Sequence, residues 1–146
     1  MTGMIVTTPE WVPPADLPFG VYTWSVQGYN PQGRGPWSDV LEFAVGEPVP
    51  EDPMGSLGQA PTVVSWDNRG CGGATWYHVW IGGTGYTLAN FWAPAADTRP
   101  EGPDGLVADI PAASLPLPAG NHRWQMRAWS PSGMGPWSEA AEFSSP

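Results

Sequence analysis

The sequence predicts an all-β protein built on the β-sandwich plan, and three observations carry that expectation. One phrase occurs twice. Residues 17–43, LPFGVYTWSVQGYNPQGRGPWSDVLEF, align without a gap on residues 117–143, LPAGNHRWQMRAWSPSGMGPWSEAAEF, with 12 of 27 positions identical. Self-similarity at a fixed offset, here 100 residues, points to tandem units of one architecture, and a unit of about 100 residues has the size of a sandwich domain. Glycine and proline, 19 of each in 146 residues, fall between short apolar runs, as turns do in an all-β chain. No window keeps helical periodicity over the ~10 residues that a helix needs.

So much glycine and proline would suit a disordered chain, but ten Trp, four Tyr and four Phe exclude one, because disordered segments are poor in large apolar groups. The net charge of −9 repels phosphate backbones and anionic lipid surfaces, so neither nucleic acid nor a membrane is an expected partner. Cys71 is the only cysteine, so no intramolecular disulfide forms. The first residues, MTGMIVTTPEW, have no basic segment followed by an apolar one and do not read as a secretory signal. No run approaches the ~20 apolar residues of a spanning helix.

In chain order, residues 4–8 (MIVTT) are a short β-rich run. Pro9, Pro13, Pro14 and Pro18 then exclude helix. Residues 20–29 alternate, with Tyr22, Trp24, Val26 and Gly28 on one face and Thr23, Ser25, Gln27 and Tyr29 on the other, which predicts one strand. Residues 30–36 form a turn, and residues 39–45 return as the second strand of a hairpin. Residues 46–61 hold Pro48, Pro50, Pro53 and Pro61 and read as a semi-rigid linker or as an irregular first strand of the next unit. Strands follow at 62–66, 74–81, 86–92 and 106–110, separated by loops at 67–73, 82–85 and 93–105. In 74–81, Tyr77, Val79 and Ile81 share one face and Trp76, His78 and Trp80 the other.

From Pro61 onward the chain resembles bacterial fibronectin type III-like domains. The resemblance is carried by Pro61 and Trp66, by Ala74 and Tyr77-x-Val79, and by Leu117-Pro118-x-Gly120. It continues through Trp124-x-Met126-Arg127-Ala128 and Gly133-x-Gly135-Pro136-Trp137-Ser138, ending at Phe143. It covers nearly all of residues 50–146 and implies an immunoglobulin-like, fibronectin III-like sandwich. The first unit matches only from its fifth strand onward. The implied organisation is a half repeat at 1–46, a Pro-rich linker or first strand at 47–60, and a full domain at 61–146. The resemblance gives structural roles to Trp24, Trp37, Trp66, Tyr77, Trp124, Arg127 and Trp137, with Trp137 lying over Arg127. Gln27 stands where Arg127 does, so that stack is expected to be missing from the first unit. His122 replaces the family's corner tyrosine, which the first unit keeps as Tyr22. Imidazole can donate in its place, so the corner is expected to survive, in a loosened form.

A unit without its opening strands leaves apolar faces and a sheet edge uncovered. Three readings stay open: the cut end of a longer array, pairing with a copy of itself, or packing against its own second unit. For the last, the C-terminal half is the expected partner of strands 62–66 and 74–81.

The candidate ligand face is Trp76, His78 and Trp80 beside Arg123, Gln125 and Trp129, since indole faces flanked by hydrogen-bonding groups suit pyranose rings or a protein. The alternative is that these tryptophans are covered by the half unit or by the 93–105 loop. No catalytic, metal or cofactor site is expected: His78 and His122 lack ligand spacing, and Asp97, Glu101, Asp104 and Asp109 read as loop charges without a calcium-loop pattern. No nucleophile motif occurs. Cys71, between glycines, is expected to be exposed and reactive. The expected function is a non-catalytic extracellular or cell-surface adhesion, spacer or self-assembly module. Its partners would be itself, as homodimer or polymer, or neighbouring domains. The alternative is a carbohydrate-binding module taking a polysaccharide.

Overall fold

The computed structural model describes Ile5, Thr7, Leu17 and residues 20–131 and 133–146. The run at 4–8, apart from Ile5 and Thr7, and Pro9, Pro13, Pro14 and Pro18 lie outside the described residues. Fourteen strands are described: β1 (Gly20–Trp24), β2 (Gln27–Asn30), β3 (Gly33–Trp37), β4 (Leu41–Val45), β5 (Val49–Asp52), β6 (Gly55–Ser56), β7 (Val63–Asp67), β8 (Trp76–Gly83), β9 (Tyr86–Pro94), β10 (Arg99–Glu101), β11 (Gly105–Asp109), β12 (Gly120–Ser130), β13 (Gly133–Met134) and β14 (Ala141–Ser145). Ala95–Asp97 and Ala112–Ser114 are single 3-10 turns.

From β5 onward the strands form two layers. One sheet has the order β10-β11-β7-β5, and the other β6-β14-β12-β8-β9, with β13 also on β12. This is an immunoglobulin-like, fibronectin III-like β-sandwich. Alternation along each strand decides what lies between the layers. β8 buries Tyr77, Val79 and Ile81, β12 buries Trp124, Met126 and Ala128, and β7 supplies Val64 and Trp66. Trp66 meets Tyr77 with ring centroids 4.8 Å apart, and the indole N–H of Trp124 donates to the Pro53 carbonyl at 2.9 Å. Each such large side chain contributes roughly 1.5–3 kcal/mol by leaving water.

The region read as linker or strand is strand in two pieces: β5 pairs with β7 and β6 runs parallel to β14. The 93–105 loop contains β10, which pairs with β11.

The N-terminal strand expected at 20–29 is divided into β1 and β2 at Ser25 and Val26. β1 pairs with β4 and β2 with β3. Their register is that of the second unit. Gly20 faces Val45 and Trp24 faces Leu41, as Gly120 faces Ser145 and Trp124 faces Ala141. The same serine closes both hairpins. Ser138 N donates to Met126 O at 2.7 Å while its Oγ accepts from Met126 N at 3.0 Å. Ser38 makes the same pair with Val26 at 2.8 and 3.0 Å.

What differs is burial. Trp124 and Met126 are fully buried, whereas Trp24 is 48% and Val26 55% exposed. On the side where β12 takes β8, β1 and β2 have no strand partner among the described residues.

Candidate functional site

The six residues expected to form a ligand face do share one face, the outer surface of the β12–β8–β9 sheet. The register places Trp129 opposite Trp76, Arg127 opposite His78, Gln125 opposite Trp80 and Arg123 opposite Gly82. β9 extends each row, with Trp92 opposite His78 and Asn90 opposite Trp80. The side chains form a ladder across the strands. His78 stacks on Trp92 at 4.4 Å with an interplanar angle of 11°, and its other neighbour, Trp137, lies at 4.9 Å. The Arg127 guanidinium sits 4.5 Å over Trp137, the stack expected from the sequence, and that of Arg123 sits 5.7 Å over Trp80.

Hydrogen bonds fix the middle of the ladder. Arg127 donates to His78 Nδ1 at 3.3–3.4 Å, so Nδ1 is an acceptor and Nε2 carries the proton. That Nε2–H points at Asn90 Oδ1, 2.6 Å away. Trp80 donates its indole N–H to Thr87 Oγ1 at 3.0 Å. His78 is therefore held in one tautomer between two rings. Trp76 and Trp92 retain 39% and 43% of their surface to solvent, so neither is fully covered. Chemically the face offers two half-exposed indoles flanked by fixed polar groups, with no nucleophile beside a general base.

Sequence reasoning missed Trp92, Asn90 and Thr87. Alternation along 86–92 places Trp92 and Asn90 on one face, but only the β8–β9 register brings them to His78 and Trp80. In the first unit, Gln27 replaces the arginine and donates its amide to Gly35 O at 2.9 Å. Trp37 is 62% exposed there.

His122 takes over the corner, and Tyr86 joins it. Its Nε2 lies 2.8 Å from the Pro118 carbonyl, and its Nδ1 lies 3.0 Å from the Tyr86 hydroxyl, which also reaches Asn121 O at 3.0 Å. His122 is buried against Phe143, so the corner is tied at both ring nitrogens rather than loosened. Tyr86 reaches His122 by lying across Gly83, where a Cβ would run into its ring.

The expectation for Cys71 is overturned. The thiol is buried, 1% exposed, and contacts the Arg69 carbonyl at 3.5 Å. Burial first, then the charges of Asp67 and Glu47, push it up to about 12. A thiol so held is protonated at neutral pH and a poor nucleophile. The loop is organised around it. Cys71 N donates to Asn68 O at 3.0 Å, Tyr77 donates to Asn68 Oδ1 at 2.5 Å, and Arg69 pairs with Asp67 at 2.6 Å. Of the loop acids, Asp109 is held by Arg99 through contacts of 2.7 and 3.0 Å. Among the described residues no three His, Cys, Asp or Glu side chains group as a metal site would require, and no helix is long and apolar enough to cross a membrane.

No family model matches the chain, and no curated protein matches it. Among solved structures it is similar to the FN1-FN3 domains of chicken CNTN1, at 18% identity and a TM-score of 0.39, over 86% of this chain and 43% of that one. The chain thus spans less than half the length of that neighbour, and the fold assignment rests on the strand order described above.

Proposed function

We propose that the protein is a non-catalytic adhesion or spacer module of the extracellular space or cell surface, and that it self-associates through its N-terminal segment. In this reading residues 1–46 are the closing half of a unit like the bacterial fibronectin type III-like domain at 61–146, and 47–60 supply that domain's opening strands β5 and β6. The supporting observation is the contrast between two hairpins of one register. In the second, the inward tryptophan is fully buried; in the first, Val21, Trp24, Val26, Tyr29, Trp37, Val40 and Leu41 are 48–71% exposed. Apolar exposure on that scale within one short segment marks an interaction surface. Light scattering on the full chain at micromolar concentration tests this. The expected result is a dimer or larger species, with residues 47–146 alone folded and monomeric. A monomeric full chain would defeat the reading.

A second reading, carbohydrate binding, is favoured by the half-exposed Trp76 and Trp92 on a ladder held rigid from beneath. Affinity electrophoresis on polysaccharide gels should then show retardation that Trp76→Ala and Trp92→Ala abolish without a large fall in melting temperature.

A further inference from the structure

We propose that two copies of the chain join edge to edge along β1 and β2, antiparallel, about a two-fold axis normal to the sheet. This rests on the self-association reading above and names its geometry. The edge concerned is the one that β8 covers on β12 in the second unit, and among the described residues it carries no strand on β1 or β2. An uncovered edge of this kind is a template for strand addition. A two-fold axis normal to the sheet makes the mate antiparallel, the sense in which β8 meets β12.

Side-chain parity is kept by this symmetry. Opposed residues i and j have a constant even sum, so Tyr22, Trp24 and Val26 of one copy lie beside the same apolar set of the other. Thr23, Ser25 and Gln27 meet their own kind on the opposite face, where hydroxyl and amide pairs are favourable neighbours.

Charge favours a second copy as the occupant. Residues 20–30 contain no charged side chain although the chain carries −9 overall. The equivalent edge of β12 carries Arg123 and Arg127 where β1 and β2 carry Thr23 and Gln27. Like charges set opposite one another across a strand pair are destabilising. The β12 edge would therefore repel its own copy, while the N-terminal edge has lost both obstacles. The arginine that sits against His78 in the second unit is absent here, so this edge is also less suited to a β8-type strand.

The test restores the two arginines in the full-length chain. Thr23→Arg/Gln27→Arg should weaken self-association at least about tenfold by sedimentation equilibrium. An equimolar mixture with Thr23→Glu/Gln27→Glu should re-form a heterodimer. Hydrogen exchange on the wild type should slow at 20–30 on dimerisation. The introduced arginines are those the same hairpin carries in the second unit, and an unchanged second-unit melting temperature verifies folding. If the wild type dimerises but the double-arginine variant dimerises equally well, edge pairing is overturned while self-association through another face of the hairpins stands. If the wild type is monomeric, both fall. If protection on dimerisation appears in β9 instead of 20–30, the interface lies elsewhere and the proposal is overturned.

Discussion

Trp24 and Trp124 hold the same position in two hairpins of one register, yet their removal should cost very different amounts. Trp124 is fully buried in the core cluster that also holds Trp66 and Met126. Replacing a buried tryptophan by alanine costs about 3–5 kcal/mol. The lost indole N–H also leaves the Pro53 carbonyl, accepted at 2.9 Å, without its donor, which adds about 1 kcal/mol or more. Trp124→Ala should therefore lose roughly 4–6 kcal/mol, much of the 5–15 kcal/mol that a domain has. Each kcal/mol is worth about 4–8 °C in a domain of this size, so the melting temperature should fall by at least about 15 °C. Trp24 is 48% exposed and lies outside the sandwich core, so Trp24→Ala should shift the main transition by less than about 0.5 kcal/mol. Urea unfolding followed by far-ultraviolet circular dichroism, at a concentration where the chain is monomeric, measures both. Equal losses would refute the reasoning, since they would mean that Trp24 is built into the same cooperative core.

Arg127→Ala should cost about 0.5–2 kcal/mol through the lost stack on Trp137, and a double-mutant cycle with Trp137→Ala should recover a coupling of that size. Gln27→Ala with Trp37→Ala should show none. Cys71 and Tyr77 are both pushed up by burial, Cys71 from 9.0 to about 12. Above pH 9 the unfolded chain gives up these protons before the folded one does, so stability is full below that pH and falls as pH rises toward 12. Urea midpoints between pH 8 and 11 should decline less steeply in Cys71→Ala. The same thiol should resist alkylation at pH 7.5 until denaturant is added, as a mass shift in intact-protein spectra would reveal. Tyr86→Phe should cost about 1–2 kcal/mol by removing a partner from His122. Gly83→Ala should cost more, because the new methyl occupies the place of the Tyr86 ring, and the excess should shrink in a Tyr86→Ala background; thermal melts of the three variants decide it.

Much of the sandwich was legible because its signals are local. Alternation put Tyr77, Val79 and Ile81 on one face of β8, and the resemblance supplied the Arg127–Trp137 stack. What escaped the sequence depends on register between distant strands. Trp92 reaches His78 only because β9 pairs with β8 in one particular alignment. Tyr86 meets His122 across 36 positions because Gly83 leaves room for its ring. Cys71 misled because flanking glycines suggest an open loop, while Asn68 and Arg69 fold that loop over the thiol. The single strand expected at 20–29 is divided at Ser25 and Val26, because the equivalent Gln125 and Met126 are held in β12 by pairing with β8, and β1 and β2 have no such strand among the described residues.

The chain alone determined how each of its two hairpins closes, since a glycine-proline-tryptophan-serine turn and its serine clamp act over a dozen residues. Tertiary structure decided what those hairpins are worth. One lies against β7 and β8, so its tryptophan leaves water; the other carries the same tryptophan at the same register with nothing of that kind against it among the described residues. Burial is a property of the partner strand, and no local pattern can supply one.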